Sequence, residues 1–207
     1  MLTQELVNTA VQAAVVFFIA AIFYLFAGRS RGNYFRFIGL YAPTAKAMKW
    51  ALILALVIVP LSLVLFMTGG LKDAASGGNT IAGQIRDNGW SAETIAVIIV
   101  MAGFKTSFTE EIFFRGIIAK RFIKWMGMLV GNTLHAAIFA GIHLLIFVIP
   151  GGPEFSWAVA GPILAFTGTM AWSVAYLNER IGNGSIVPSW FIHALGNLLA
   201  YPVLAFA

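Results

Sequence analysis

Glu110 and Glu111 stand in Ser107-Phe-Thr-Glu-Glu-Ile-Phe-Phe-Arg-Gly116, inside an apolar helical run from about Ala92 to Ile118. Charges in a membrane-length segment cost several kcal/mol unless they are paired or used. Helical spacing puts Glu111 and Arg115 at i and i+4, where they can pair on one face and neutralise each other. Glu110 sits about 100° round the helix and is left without that partner. Two further groups interrupt later apolar runs: His143, which closes Phe139-Ala-Gly-Ile-His143, and His193-Ala-Leu-Gly-Asn197, whose polar side chains share one face. In hydrocarbon such groups must find each other or water. A lone carboxylate, two imidazoles and an amide suit one reaction type well. The carboxylate takes a proton from water, and the imidazole and amide N–H groups stabilise a developing oxyanion. The chain has no cysteine, which excludes thiol nucleophiles, disulfides and cysteine metal sites.

The elements that must position these residues are membrane helices. Of 207 residues 60% are hydrophobic and 10% charged, and the mean hydropathy is +0.88; a soluble domain carries about a quarter charged residues. The expected architecture is all-α, a polytopic bundle of about six transmembrane helices in one compact domain, embedded in the lipid bilayer. The apolar runs are about Leu6–Phe26, Trp50–Met67, Ala92–Ile118, Gly127–Ile149, Ala158–Leu177 and Ile186–Ala205. The first lacks a basic flank and a clear cleavage site and reads as a retained helix. Between the runs lie a basic connector (Gly28–Lys49), a polar loop (Gly69–Ser91), a short basic amphipathic piece (Lys120–Met126), a Pro/Gly turn (Pro150–Pro153) and a tight turn (Asn178–Ser185).

Connectors one, three and five carry five, three and one Lys or Arg; the N-terminus, connectors two and four and the C-terminus carry none, two, none and none. Positive residues gather on the cytoplasmic side. Both termini are therefore expected outside a cell (plasma or inner) membrane, with the site toward the cytoplasmic half. The net charge of +5 is a topology signal, and no nucleic-acid partner is expected. Trp50, Trp90, Trp125, Trp157 and Trp190 fall near span ends, as an aromatic belt does.

Glu-Glu-x-x-x-Arg, then Phe-x-x-x-His, then His-x-x-x-Asn, in order, resembles the CPBP family of CAAX proteases and bacteriocin-processing enzymes, also called Abi. Its best-known members are the type II CAAX prenyl endopeptidases. The resemblance covers roughly Ala92–Pro202, and Gly184-Ser-Ile-Val-Pro-Ser before the last motif also looks like the family. It implies a catalytic helical core over 92–207, preceded over 1–91 by two spans that carry no motif and add only anchoring. It implies a membrane-embedded endopeptidase that uses a glutamate-activated water and no cofactor, acting on a peptide or lipidated protein, with prenylated CaaX peptides the best-known substrates. Residue by residue, Glu110 resembles the general base and His143 its partner in holding the water. His193 and Asn197 resemble the oxyanion donors, and Glu111, Arg115 and Phe139 resemble supporting residues.

Other readings compete. Two histidines and two glutamates could ligate zinc with an open water position, although no His-Glu-x-x-His helix is present. An immunity or scaffold protein could keep the fold without the activity. A small proton-coupled transporter would also use intramembrane Glu and His, but no inverted repeat is seen. Lys105 could snorkel or line a water cavity. His135 reads as structural or cavity-lining. Ala136, Ala140 and Gly141 are expected to allow close helix approach. Ideal straight spans set one problem: Glu110 would lie roughly 18 Å from a helix end near Phe122 and His143 roughly 22 Å from one near Met128, but His193 only about 8–12 Å from the start of span six. Tilt, a longer span or a broken helix must reconcile these depths.

Overall fold

The computed structural model describes residues 1–27, 32–68, 80–149 and 152–206. Arg29 and Arg31 of the first connector, most of the polar loop, and Pro150 and Gly151 lie outside the described residues. Every described element is helical: α1 (Leu2–Ala27), α2 (Tyr34–Ile38), α3 (Ala45–Thr68), α4 (Ile81–Asn88), α5 (Ala92–Ile99), α6 (Lys120–His143), α7 (Trp157–Tyr176) and α8 (Val187–Phe206). Two segments of wide π turns, Val100–Phe108 and Glu111–Ala119, carry α5 into α6, with Thr109 and Glu110 between them. The Thr80 and Ser91 hydroxyls start α4 and α5 by accepting from Gly83 N at 3.1 Å and Thr94 N at 3.0 Å.

Five helical runs are long and apolar enough to cross a membrane, and the third, Ala92–Phe147, has 56 residues. Straight, it would measure about 84 Å, far beyond a hydrocarbon core of about 30 Å. It is not straight. Gly127 adopts φ 79° and ψ 169°, a conformation open in practice only to glycine. The chain folds back there, and Gly131 packs so closely on Phe122 that an added Cβ would lie 2.3 Å from its backbone. The two limbs are the third and fourth expected spans, joined as an antiparallel hairpin, which reconciles six spans with five runs.

The hairpin also answers the depth problem. With Gly131 level with Phe122, His143 lies twelve residues along one limb and Glu110 twelve residues back along the other, so they come abreast about 18 Å from that contact. The start of α8 is set by another contact: Lys120 Nζ donates to the Gly184 carbonyl at 2.5 Å and pairs with Glu179 at 2.6 Å. Glu110 lies ten residues before Lys120, and His193 nine after Gly184, so they share a level too.

Packing follows the sequence pattern. Ala47, Ala51, Ala55 and Val59 of α3 meet Ile192 of α8 in one core, and Ala20, Phe37, Ile112 and Ile186 form another. Ala136 and Ala140 are buried between α6 and α7, but Gly141 faces outward and takes no part in the approach. Trp50, Trp90, Trp125 and Trp157 are exposed. Trp190 lies in the first turn of α8, half-buried, with its Nε1 donating to the Gly103 carbonyl at 2.6 Å.

Candidate functional site

Glu111 and Glu110 are neighbours in sequence with opposite surroundings. Glu111 is fully buried. Its carboxylate pairs with Arg115 at 3.2 Å, accepts from His193 Nδ1 at 3.1 Å and accepts from the Ser189 hydroxyl. Arg115 lies over the Phe139 ring at 4.1 Å. The expected intrahelical pair is present, but it is one part of a larger network that ties the hairpin to α8. Asn178 joins it from the end of α7, donating to Ser189 Oγ at 2.6 Å.

Glu110 accepts no hydrogen bond among the described residues. Its side chain is 31% exposed, and Oε2 lies 4.0 Å from His193 Nε2. That separation is too long for a hydrogen bond, and a water oxygen between the two can reach both. His193 is therefore held from one side and open on the other. A carboxylate can only accept, so Nδ1 carries a proton toward Glu111 and Nε2 faces the gap.

His143 ends α6 with Nδ1 at 2.7 Å from the Phe139 carbonyl. A carbonyl likewise only accepts, so this ring keeps Nε2 for whatever lies in front of it. Asn197 sits one turn beyond His193, and its Nδ2 donates to Ser107 Oγ at 3.1 Å, leaving a second amide hydrogen. His143, His193 and Asn197 line one cavity of about 170 Å³ between α3, α6, α7 and α8, walled by apolar residues such as Ile58, Leu65, Phe66, Ile163 and Phe166.

Glu110 borders a different space. A polar chamber of about 330 Å³ is lined by Glu5, Gln12, Gln84, Lys105, Thr106 and Glu110, together with Ile81 and Met101. Lys105 meets the cavity-lining expectation there, but it does not snorkel free: its Nζ pairs with Glu5 of α1 at 2.6 Å. His135 is fully buried, with Nδ1 3.3 Å from Asn132 Oδ1, and lines neither space. Among the described residues, no three His, Cys, Asp or Glu side chains converge as a metal-holding group.

A family model described as type II CAAX prenyl endopeptidase, Rce1-like, matches residues 92–199. The chain belongs to that family. No curated protein and no solved structure matches it. As a Rce1-like chain it is an integral membrane protein of a CAAX-type intramembrane protease family, whose substrates are peptides or lipidated proteins. The match begins at the first residue of α5 and takes in the hairpin, α7 and most of α8.

Several residues of this candidate site carry no sequence signal of their own. Ser189 was visible only as the last residue of the stretch before the final motif. Ser107 opens the first motif but has no helical relation to Asn197. Gln12, Glu5, Thr109 and Tyr201 meet the site through tertiary packing. Gln12 and Glu5 were detectable only as polar residues in an apolar span.

Proposed function

We propose that this chain is a glutamate-type endopeptidase that cuts a peptide bond in a membrane-associated substrate, with a prenylated CaaX chain the leading candidate. The observation that carries this reading is the 4.0 Å gap between Glu110 Oε2 and His193 Nε2, with no direct hydrogen bond across it. Water in that gap would lose a proton to Glu110 as its oxygen attacks the carbonyl carbon. His143, with Nε2 free, would hold the same water. The tetrahedral oxyanion would receive the His193 Nε2–H and the spare Asn197 amide hydrogen. Donation from His193 Nε2 requires the doubly protonated ring, since Nδ1–H is committed to Glu111. Collapse breaks the C–N bond, and Glu110 returns its proton to the leaving amine. The apolar cavity beside His143, His193 and Asn197 suits a greasy substrate chain.

The test uses wild type and Glu110→Gln, purified in detergent and given a quenched farnesylated CaaX peptide with and without a strong chelator. Chelator-resistant cleavage that disappears in the variant is the expected result. Cleavage abolished by chelator and restored by zinc would overturn the mechanism. Cleavage of an unprenylated peptide alone would keep Glu110 as base and replace the substrate class.

A further inference from the structure

The first span was expected to add only anchoring, yet it touches the backbone that carries Glu110. Gln12 lies within α1, between Val7, Val11, Val15 and Phe18, which are exposed on the outer surface. A carboxamide in such a span is costly unless it is hydrogen-bonded. It is. Gln12 Nε2 donates to the Lys105 carbonyl at 2.9 Å and to Thr109 Oγ1 at 2.7 Å. Thr109 Oγ1 donates in turn to the same Lys105 carbonyl at 2.5 Å, closing a three-membered ring of hydrogen bonds. Thr109 is buried, and Glu110 is the next residue.

The ring forms where the chain changes register. Wide π turns end at Phe108 and begin again at Glu111. Such irregular turns free carbonyls that side chains must satisfy, and they recur at functional sites. Trp190 takes the Gly103 carbonyl from the α8 side, and Gln12 takes the Lys105 carbonyl from the α1 side. A second tie from α1, about two turns before Gln12, is the Glu5–Lys105 pair at 2.6 Å, which holds the same segment. Rotation of this register by even part of a turn would swing Glu110 away from His193.

We infer that Gln12 is a positioning residue for Glu110: through Lys105 and Thr109, α1 fixes the register that aims the carboxylate at the His193 gap. Gln12 lies outside the residues that the family match covers. The inference rests on the reading of Glu110 as the base. Displacing a reacting group by a fraction of an ångström costs rate more than binding.

The experiment measures kcat and KM for cleavage of the farnesylated peptide by Gln12→Met, which keeps length and removes the donor. Asn8→Met, one turn earlier on α1, is the matched control; among the described residues Asn8 bonds only to Gln4. The expected result is a fall in kcat of roughly tenfold or more in Gln12→Met with KM unchanged, wild-type kcat in Asn8→Met, and no further loss when Thr109→Val is added to Gln12→Met. Wild-type kcat in Gln12→Met, a loss confined to KM, or an equal loss in both methionine variants would overturn the inference. If Gln12→Met does not accumulate, Thr109→Val and Thr109→Ser read the ring from its other end. Loss in the valine variant alone supports the inference, and equal activity in the two overturns it. Full activity in Glu110→Gln would instead sink the underlying mechanism, so the two failures are separable.

Discussion

Two adjacent glutamates show how far identity of side chain is from identity of role. Glu111 has an arginine, a histidine and a serine on its carboxylate and no exposure. Removing it leaves Arg115 buried and unpaired, a situation that costs about 3–5 kcal/mol. Glu111→Ala is therefore expected to unfold at a much lower temperature than wild type in detergent. Glu110→Gln is expected to keep the fold and its melting temperature, because no group among the described residues donates a hydrogen bond to that carboxylate. A thermal melt of both variants beside the activity assay checks the contrast, and equal destabilisation would contradict it. The sequence already separated the two residues, since only Glu111 has an i+4 arginine. It did not reveal that His193 and Ser189 also converge on Glu111, because those contacts join residues about eighty apart and depend on how deep α8 sits.

At the scale of elements, the apolar runs and their order were readable from hydropathy, and the basic piece at Lys120–Met126 marked where the long run turns. The geometry of the turn was not. A single glycine with positive φ looks like any other glycine in sequence, and a π turn differs from an α turn only by where carbonyls find partners. The turn at Gly127 brings Glu110 and His143 abreast, and the Lys120–Gly184 contact sets the level of His193. Gly127 and Gly131 serve the hairpin differently, and substitution distinguishes them. An added methyl at Gly127 meets no atom within 4 Å, so Gly127→Ala meets backbone strain alone, on the order of 1–3 kcal/mol. The same methyl at Gly131 falls 2.3 Å from the Phe122 backbone and forces the limbs apart. Gly131→Ala is expected to lose most cleavage activity and Gly127→Ala to keep it with a lowered melting temperature. The reverse ranking would show that the limb contact does not set the site.

For the whole molecule, the helices present Phe18, Leu56, Val57, Val64 and Leu129 outward, as a lipid-facing surface does. The charge pattern proposes that Lys124 and Arg180 face the cytoplasm and Asp87 the outside. The chain has no cysteine, so single cysteines report this directly. Asp87→Cys in intact spheroplasts is expected to react with an impermeant maleimide, and Lys124→Cys only after lysis; labelling of both, or the opposite order, would reverse the orientation. The apolar cavity and the polar chamber meet the Glu110–His193 pair from different sides, His193 lining the first and Glu110 the second. On the proposed mechanism this sorts inhibitors by kinetics. A molecule wedged among Leu65, Phe66 and Phe166 would occupy the room of a substrate chain, and more substrate would displace it. A molecule lodged between Glu5 and Gln84 would leave that room free and shut out the water, and no excess of substrate would restore the rate.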